Sequence, residues 1–348
     1  MKQPSQGTVR QYIIDHVADH PTGISSLAVR ELRVSRQAVN QQLHELVRQG
    51  LLQVSGLARK RSYRLIPTFE RQLTISLDVP VEEHVVWQQL VGDHLRELPK
   101  NVQDICAYGL TEMVNNAIDH SEAQGFAVSV TVTPAYVVFS VTDSGIGIFR
   151  KLKERLSLPD EYAAVLDLAK GKLTTAPGAH TGEGIFFTAR MFDRFEIVSG
   201  HLFFSHSSLS GDWLLEDRTS VTKGTTVRMR VACASSRVPQ AVFEMYAAEE
   251  DDYAFTRTDV PVCLAMRGEE QLVSRSQAKR LLARLESFRS VTLDFKGVES
   301  IGQAFADEVF RVYCLNHPTM DIRSVNECRA VAFMIRRSLA TKNRMPAE

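Results

Sequence analysis

The chain has 348 residues, room for two or three domains with separate cores, and its 44% hydrophobic and 24% charged content is that of a globular protein. No apolar run approaches the ~20 residues that cross a bilayer, and the opening "MKQPSQGTVRQYIIDHVADH" lacks the long apolar segment of a secretory leader. Formal net charge is zero, and the five cysteines (Cys106, Cys233, Cys263, Cys314, Cys328) form no C-x-x-C pair, so neither a disulfide frame nor a zinc site is indicated and a cytoplasmic chain with reduced thiols, not associated with a membrane, is expected.

The charge is uneven. Residues 1–70 hold ten Lys/Arg against five Asp/Glu, a basic block that points to a polyanionic partner for this part alone. Within it, Val9, Ile13, Ile14 and Val17 predict a helix over 8–20, and a second short helix follows at about 24–31, entered from "PTG". Ser35 is the expected N-cap of "SRQAVNQQLHELVRQG", whose Val39, Leu43, Leu46 and Val47 share one face and whose Gly50 stops it. "LLQVSGLARKRSYRLI" then reads as two short strands around a basic tip. Three helices followed by a basic hairpin resembles the winged helix-turn-helix family throughout this segment. That resemblance implies double-stranded DNA as partner, with Arg36, Gln37, Asn40 and Gln41 early on the third helix facing base edges and Arg59, Lys60 and Arg61 meeting phosphates or the minor groove. A protein-docking role is the alternative for the same segment.

The middle segment, about 68 to 235, contains "GLTEMVNNAIDHSEAQ". Leu110, Met113, Val114, Ala117 and Ile118 recur at helical spacing, while Glu112, Asn115, Asn116 and Asp119 crowd acceptors and amides into two turns. Glu112 and Asn116 fall on one face, one turn apart. An amide oxygen there suits a magnesium ion that keeps several waters, and a carboxylate one turn back suits a base beside a γ-phosphate. Two strand-like stretches, "FAVSVTVTP" and "AYVVFSVTDSGIGIF", follow; Asp143 is expected to end the second, with Gly145 and Gly147 letting a flat ligand approach the backbone. "HTGEG" places Gly182 and Gly184 before a helical run, where N–H groups can face phosphates, and "GTTVRMRV" reads as a closing strand entered through a glycine.

These motifs, in this order over about residues 100 to 231, resemble the GHKL superfamily (gyrase, heat-shock chaperone, histidine kinase and mismatch-repair ATPases) and its Bergerat ATP-binding fold. The resemblance implies ATP and Mg²⁺ as cofactors. Glu112 then matches the catalytic acid, Asn116 the magnesium ligand among Asn115, Asn116 and Asp119, and Asp143 the adenine acceptor beside Gly145 and Gly147. Gly182 and Gly184 match the second glycine box. Phe149 to Thr181 becomes the ATP lid, with Lys170, Lys172, His180 and Thr181 as phosphate contacts. Histidine kinases usually carry an amide at the position of Glu112, whereas the true ATPases and the anti-sigma-factor serine kinases carry an acid, and "NAIDH" is similar to the latter. No helix pair with a phosphoacceptor histidine is visible, which argues against a sensor histidine kinase.

Residues 236–256 turn acidic ("AAEEDDY") and read as a linker, and residues 257–348 alternate strands ("VPVCLAM", "VTLDF", "DIRSVN") with helices ("SRSQAKRLLARLESF", "GQAFADEVFRVYCL", "CRAVAFMIRRSLA"), an α/β layer. "VTLDFKGVESIGQAFADEVF" resembles the centre of STAS domains, and "SRSQAKRLL" to "MIRRSL" the STAS-like domain DUF4325. The serine that anti-sigma kinases phosphorylate in STAS partners corresponds to Gln303 here, with Ser300 three residues earlier. The expected fold is thus multidomain α+β: winged helix-turn-helix (1–67), Bergerat α/β sandwich (68–235), linker (236–256) and STAS-like α/β domain (257–348). The expected function is a one-component DNA-binding regulator switched by Mg-ATP and slow hydrolysis, with a protein partner at the STAS-like domain and a homodimeric state. The alternatives are an anti-sigma-type serine/threonine kinase and a non-hydrolysing ATP-sensing scaffold.

Overall fold

The fold is taken from a computed structural model that describes residues 6–57, 60–173, 182–249, 252–267 and 270–342. The first unit is built from α1 (Gln6–His16), α2 (Ile24–Leu32) and α3 (Arg36–Arg48), followed by the antiparallel hairpin β1 (Leu52–Ser55) and β2 (Ser62–Leu65). The first helix stops at His16 rather than running on to residue 20. Ser35 caps α3 by accepting from the Ala38 amide at 3.1 Å, as the sequence expects. Val9, Ile13, Val17, Ile24, Val39, Leu43 and Leu46 close a core of their own, onto which Ala135 packs from the next unit. Arg230 of that unit reaches Asp19 at 3.0 Å.

Five strands form the second sheet, in the order β3 (Phe69–Ser76), β4 (Gly125–Val132), β5 (Tyr136–Asp143), β7 (Asp212–Ala232), β6 (Arg194–Ser207), every neighbouring pair antiparallel. Burial alternates strictly along β4, so Phe126, Val128, Val130 and Val132 share one face. α4 (Glu83–Leu90) and α5 (Lys100–His120) pack with this sheet, and α5 buries the stripe Val102, Ile105, Leu110, Met113 and Ala117. Gly109 sits in that stripe because Phe192 leaves no room: a methyl group would lie 2.2 Å from its ring. α6 (Ile148–Leu156) and α7 (Glu161–Lys170) follow β5, and α8 (Gly184–Met191) precedes β6. The closing strand does not begin at Gly224; β7 starts at Asp212, and Gly224 lies within it at φ 74°.

Residues 236–256 are not a bare linker. They contain α9 (Pro239–Tyr246), β8 (Ala247–Glu249) and β9 (Asp252–Phe255), and Val242, Tyr246 and Phe255 are buried in the core shared with Phe186 and Phe187 of α8. The last unit holds a parallel sheet, β10 (Arg257–Pro261), β11 (Ser290–Asp294) and β12 (Asp321–Val325), in that order. α10 (Arg275–Leu282), α11 (Gln303–Asp307), α12 (Cys314–Asn316) and α13 (Arg329–Lys342) complete it, with a π-helical turn at Glu308–Tyr313 joining α11 to α12. Ser274 and Gln277 start α10 with reciprocal capping bonds. Two expectations shift: "VPVCLAM" leaves the strand at Pro261 and turns into a 3₁₀ segment, and the helix after Ser274 breaks at Arg284, which adopts φ 62°.

Candidate functional site

The last two turns of α5 begin the site. Glu112 and Asn116 project one turn apart into a cleft of about 290 Å³ that is also lined from β5, α6, α7, α8 and β7. The Glu112 carboxylate lies against the first residue of α8, where a methyl group on Gly184 would sit 2.0 Å from Glu112 Oε2. Asn116 half-buries its amide, whose Nδ2 is 4.0 Å from Met113 Sδ.

Asp143 ends β5 with its side chain buried. Its Oδ1 accepts from the Gly145 amide at 2.8 Å and the Thr225 amide at 3.3 Å. Burial pushes the carboxyl above its ordinary range, and these backbone donors pull it back down in part. The two glycines after it are sterically required. A methyl group on Gly145 would lie 1.8 Å from the Ser121 carbonyl, and Gly147 holds φ 87° with Ser199 Oγ 2.8 Å from where its Cβ would be. The Leu173 amide donates to the Gly182 carbonyl at 3.2 Å, and both residues line the cleft. Gly182 itself holds φ 73°.

Glu112, Asn116, Asp143, Gly147, Gly182 and Gly184 therefore meet in one cleft, with Gly145 forming the turn beneath it. Asn115 and Asp119 stand on the neighbouring face of α5 and do not line it. His180 and Thr181 lie outside the described residues. Lys170 and Lys172 are placed elsewhere than the sequence expects. Lys170 is 1% exposed, and its ammonium is held by Asp167 Oδ1 and the Ala283 carbonyl, both at 2.8 Å. Lys172 donates to the Ser287 carbonyl at 3.0 Å and lies over the rings of Phe288 and Phe255. Both lysines grip the last unit, not the cleft. Nor is 149–181 a single loop: α6 and α7 fill most of it and bury Phe149, Ala164, Val165 and Leu166.

Sequence reading missed several lining groups. Lys151 is 8% exposed and donates to the His120 carbonyl at 2.7 Å while pairing with Glu122 at 2.9 Å. The signal was a lysine on the buried stripe of α6, beside Ile148 and Leu152. Thr225 lines the cleft, and its hydroxyl accepts from the Ile148 amide at 2.9 Å; its only sequence signal is the preceding glycine.

In the first unit, Arg36, Gln37, Asn40 and Gln41 are all exposed, opposite the buried Val39 and Leu43. Asn40 is held toward α2 by Ser25 Oγ at 3.3 Å. Lys60 and Arg61 are exposed, and Arg59 lies outside the described residues.

Asn116 and Glu112, an amide and a carboxylate one turn apart, fit a magnesium ion that arrives with phosphates, and no group of three or more His, Cys, Asp or Glu among the described residues could cage a metal alone. No helix among the described residues is long and apolar enough to cross a membrane. Residues 84–202 match the family model described as a histidine kinase-like ATPase domain, and residues 277–325 match a STAS-like domain of unknown function, DUF4325. No curated protein matches the chain. The chain thus contains a histidine kinase-like ATPase domain, which carries the cleft, and a C-terminal STAS-like domain.

Proposed function

We propose that the chain is a DNA-binding regulator of the winged helix-turn-helix type, in which Mg-ATP in the ATPase-domain cleft switches DNA or partner binding and slow hydrolysis resets the switch. The observation that carries the nucleotide part is convergence: Glu112, Asn116, Asp143, Gly182 and Gly184 come from separated segments and meet in one cleft. Asp143 accepts the exocyclic amine of adenine, over a floor of Val141, Val227 and Leu152. Thr225 and Gly145 hold the carboxylate in place. The N-terminus of α8 faces the phosphates with its free N–H groups. Asn116 supplies an oxygen ligand to the metal, which neutralises phosphate charge when bound. Glu112 orients and deprotonates the attacking water.

The switch is supported by how the ATPase domain meets the STAS-like domain. Lys170 and Lys172, at the end of α7 and just after it, are tied to Ala283 and Ser287, while Arg284 reaches Asp167 at 3.4 Å. A shift of α7 on nucleotide binding is thereby felt at the STAS-like domain, which serves a protein partner; a homodimer would present two first units to DNA. The kinase alternative draws less support. The loop after β11 is held at the tip of the β6–β7 hairpin, where Lys296 pairs with Asp212 at 2.9 Å, and none of its residues lines the cleft. Gln303, which begins α11, stands where the STAS resemblance puts the acceptor serine.

The DNA part rests on the exposed polar face of α3 and on Lys60 and Arg61. Anisotropy titration with a mixed-sequence duplex should give a steep salt dependence, and Arg61→Ala should flatten the slope of log affinity against log salt by about one. Asn40→Ala should weaken a selected site more than bulk duplex. Equal binding by wild type and an Arg36→Ala/Lys60→Ala/Arg61→Ala variant would remove this part of the proposal.

A further inference from the structure

A second cavity, of about 560 Å³, lies between the ATPase domain and the STAS-like domain, on residues that the nucleotide cleft does not use. Its STAS-like wall is the carboxyl edge of the parallel sheet: Asp294 ends β11 and Val325 ends β12. Open α/β sheets bind their ligands outside that edge, and the volume is that of a small-molecule site.

Four charged side chains line this cavity, Arg190, Arg237, Asp259 and Asp294, and of these Arg237 is already answered by Asp193 at 2.7 Å. Arg190, 9% exposed, reaches it from α8. Its guanidinium stacks on Phe186, donates to the Tyr246 hydroxyl at 3.0 Å, and donates to the carbonyls of Phe186 and Asp259 at 3.2 Å. Among the described residues no carboxylate pairs with it, and a buried cation without a counter-ion is unfavourable. Asp259 accepts from Tyr246 at 2.8 Å, and Asp294 Oδ1 accepts from the Lys296 amide and Asn326 Nδ2, both at 2.9 Å. Neither aspartate forms an ion pair among the described residues. Besides the hydroxyls of Ser208, Ser236 and Thr292, the wall offers an apolar and aromatic part: Val325, Met245, and Trp213, whose ring lies 3.9 Å from that of His206 at a tilt of 31°. The His206 Nδ1–H donates to the Ala189 carbonyl, and burial together with nearby Arg190 holds its pKa down at about 4, so the ring is neutral and adds no charge at pH 7.

We infer that this cavity binds a small zwitterion with an apolar side chain, the chemistry of a free α-amino acid. Arg190 takes the carboxylate, Asp294 and Asp259 take the ammonium, and Trp213, Met245 and Val325 cover the side chain. A simple anion would leave both aspartates unanswered, and a simple cation would leave Arg190 so. The site also has a route to the nucleotide cleft. Arg190 Nη2 contacts the Ala169 carbonyl of α7 at 3.5 Å while its own backbone belongs to α8, so one side chain ties together two helices that both line the nucleotide cleft. Binding stands without the ATP reading; this coupling rests on it.

Trp213 is one of two tryptophans, so Trp87→Phe leaves it as the sole reporter. The full-length Trp87→Phe protein is titrated with the standard amino acids up to millimolar concentration, then with the decarboxylated amine and deaminated acid of the best one. At least one apolar amino acid should give a saturable change in Trp213 emission, and each truncated analogue should bind about tenfold more weakly or worse, the loss of one charged hydrogen-bonded group. Arg190 variants risk unfolding, so Asp294→Asn, which keeps an acceptor for Lys296 and Asn326, is the test variant; it should weaken the amino acid by about tenfold and leave the deaminated acid unchanged. No response to any amino acid overturns the site, as does an amine that binds as tightly as its parent. Saturating amino acid should also shift ATP affinity by about threefold. Binding without that shift overturns the coupling alone, and a protein that binds no ATP still reads the Trp213 titration.

Discussion

Asp143→Asn should lower ATP affinity by about a hundredfold, roughly 3 kcal/mol, while the fold persists with its melting temperature within about 4 °C of wild type. The size follows from geometry. Oδ1 is occupied by the Gly145 and Thr225 amides, so an asparagine that keeps those bonds must turn its NH₂ toward the ligand. Two donors then face each other in a buried place, and the adenine amine loses its acceptor. Calorimetry on both proteins reads the difference, and unchanged affinity would show that Asp143 does not hold the base. The same residue gives a pH dependence with a definite sign. Adenine recognition needs the carboxylate, and burial raises its pKa, so ATP affinity should start to fall on acidification at a higher pH than an ordinary aspartate would impose. Folding goes the other way. A carboxyl raised in the native state favours the fold below the ordinary aspartate range and loses that contribution as pH rises through its native value, so Asp143 is not a source of acid unfolding. In Asp143→Asn the acid limb of ATP binding should disappear.

Glu112→Ala should retain ATP and release phosphate about a thousandfold more slowly, within the usual range for a lost general base. Glu112 lies against Gly184, the first residue of α8, so removing it also removes negative charge from the end of the cleft to which the proposed phosphates would bind. ATP affinity should therefore hold or rise slightly. Wild-type phosphate release that survives the substitution would take Glu112 out of the chemistry. A double loss, of binding and turnover together, would make its role structural.

The parts of this site that the sequence discloses are those fixed by local geometry. The Glu112–Asn116 pair follows from helical periodicity, and Asp143 with its glycines follows from a strand that must turn sharply. Gly145 is legible for the same reason that it is required, since a side chain there would strike the Ser121 carbonyl. Long-range packing is what hides the rest. Lys170 and Lys172 have the appearance of lid charges, and nothing near them in the chain announces that Ala283 and Ser287, more than a hundred residues later, supply their acceptors. The acidic tract at 236–256 masks Val242, Tyr246 and Phe255, whose aromatic partners sit on α8. Thr225 is invisible because its role depends on the pairing of β7 with β5, which brings its amide to Asp143. Arg190 resembles any helix arginine until α9 and β10 are packed over it.

Nucleotide state should change what the first unit does. This is tested most directly by the dissociation constant for duplex DNA, measured on wild type and Asp143→Asn with and without Mg-ATP at one salt concentration. Mg-ATP should shift the wild-type value by at least about fivefold, a coupling of roughly 1 kcal/mol, and leave the Asp143→Asn value where it was. Tight DNA binding that is indifferent to nucleotide in both proteins would contradict this coupling.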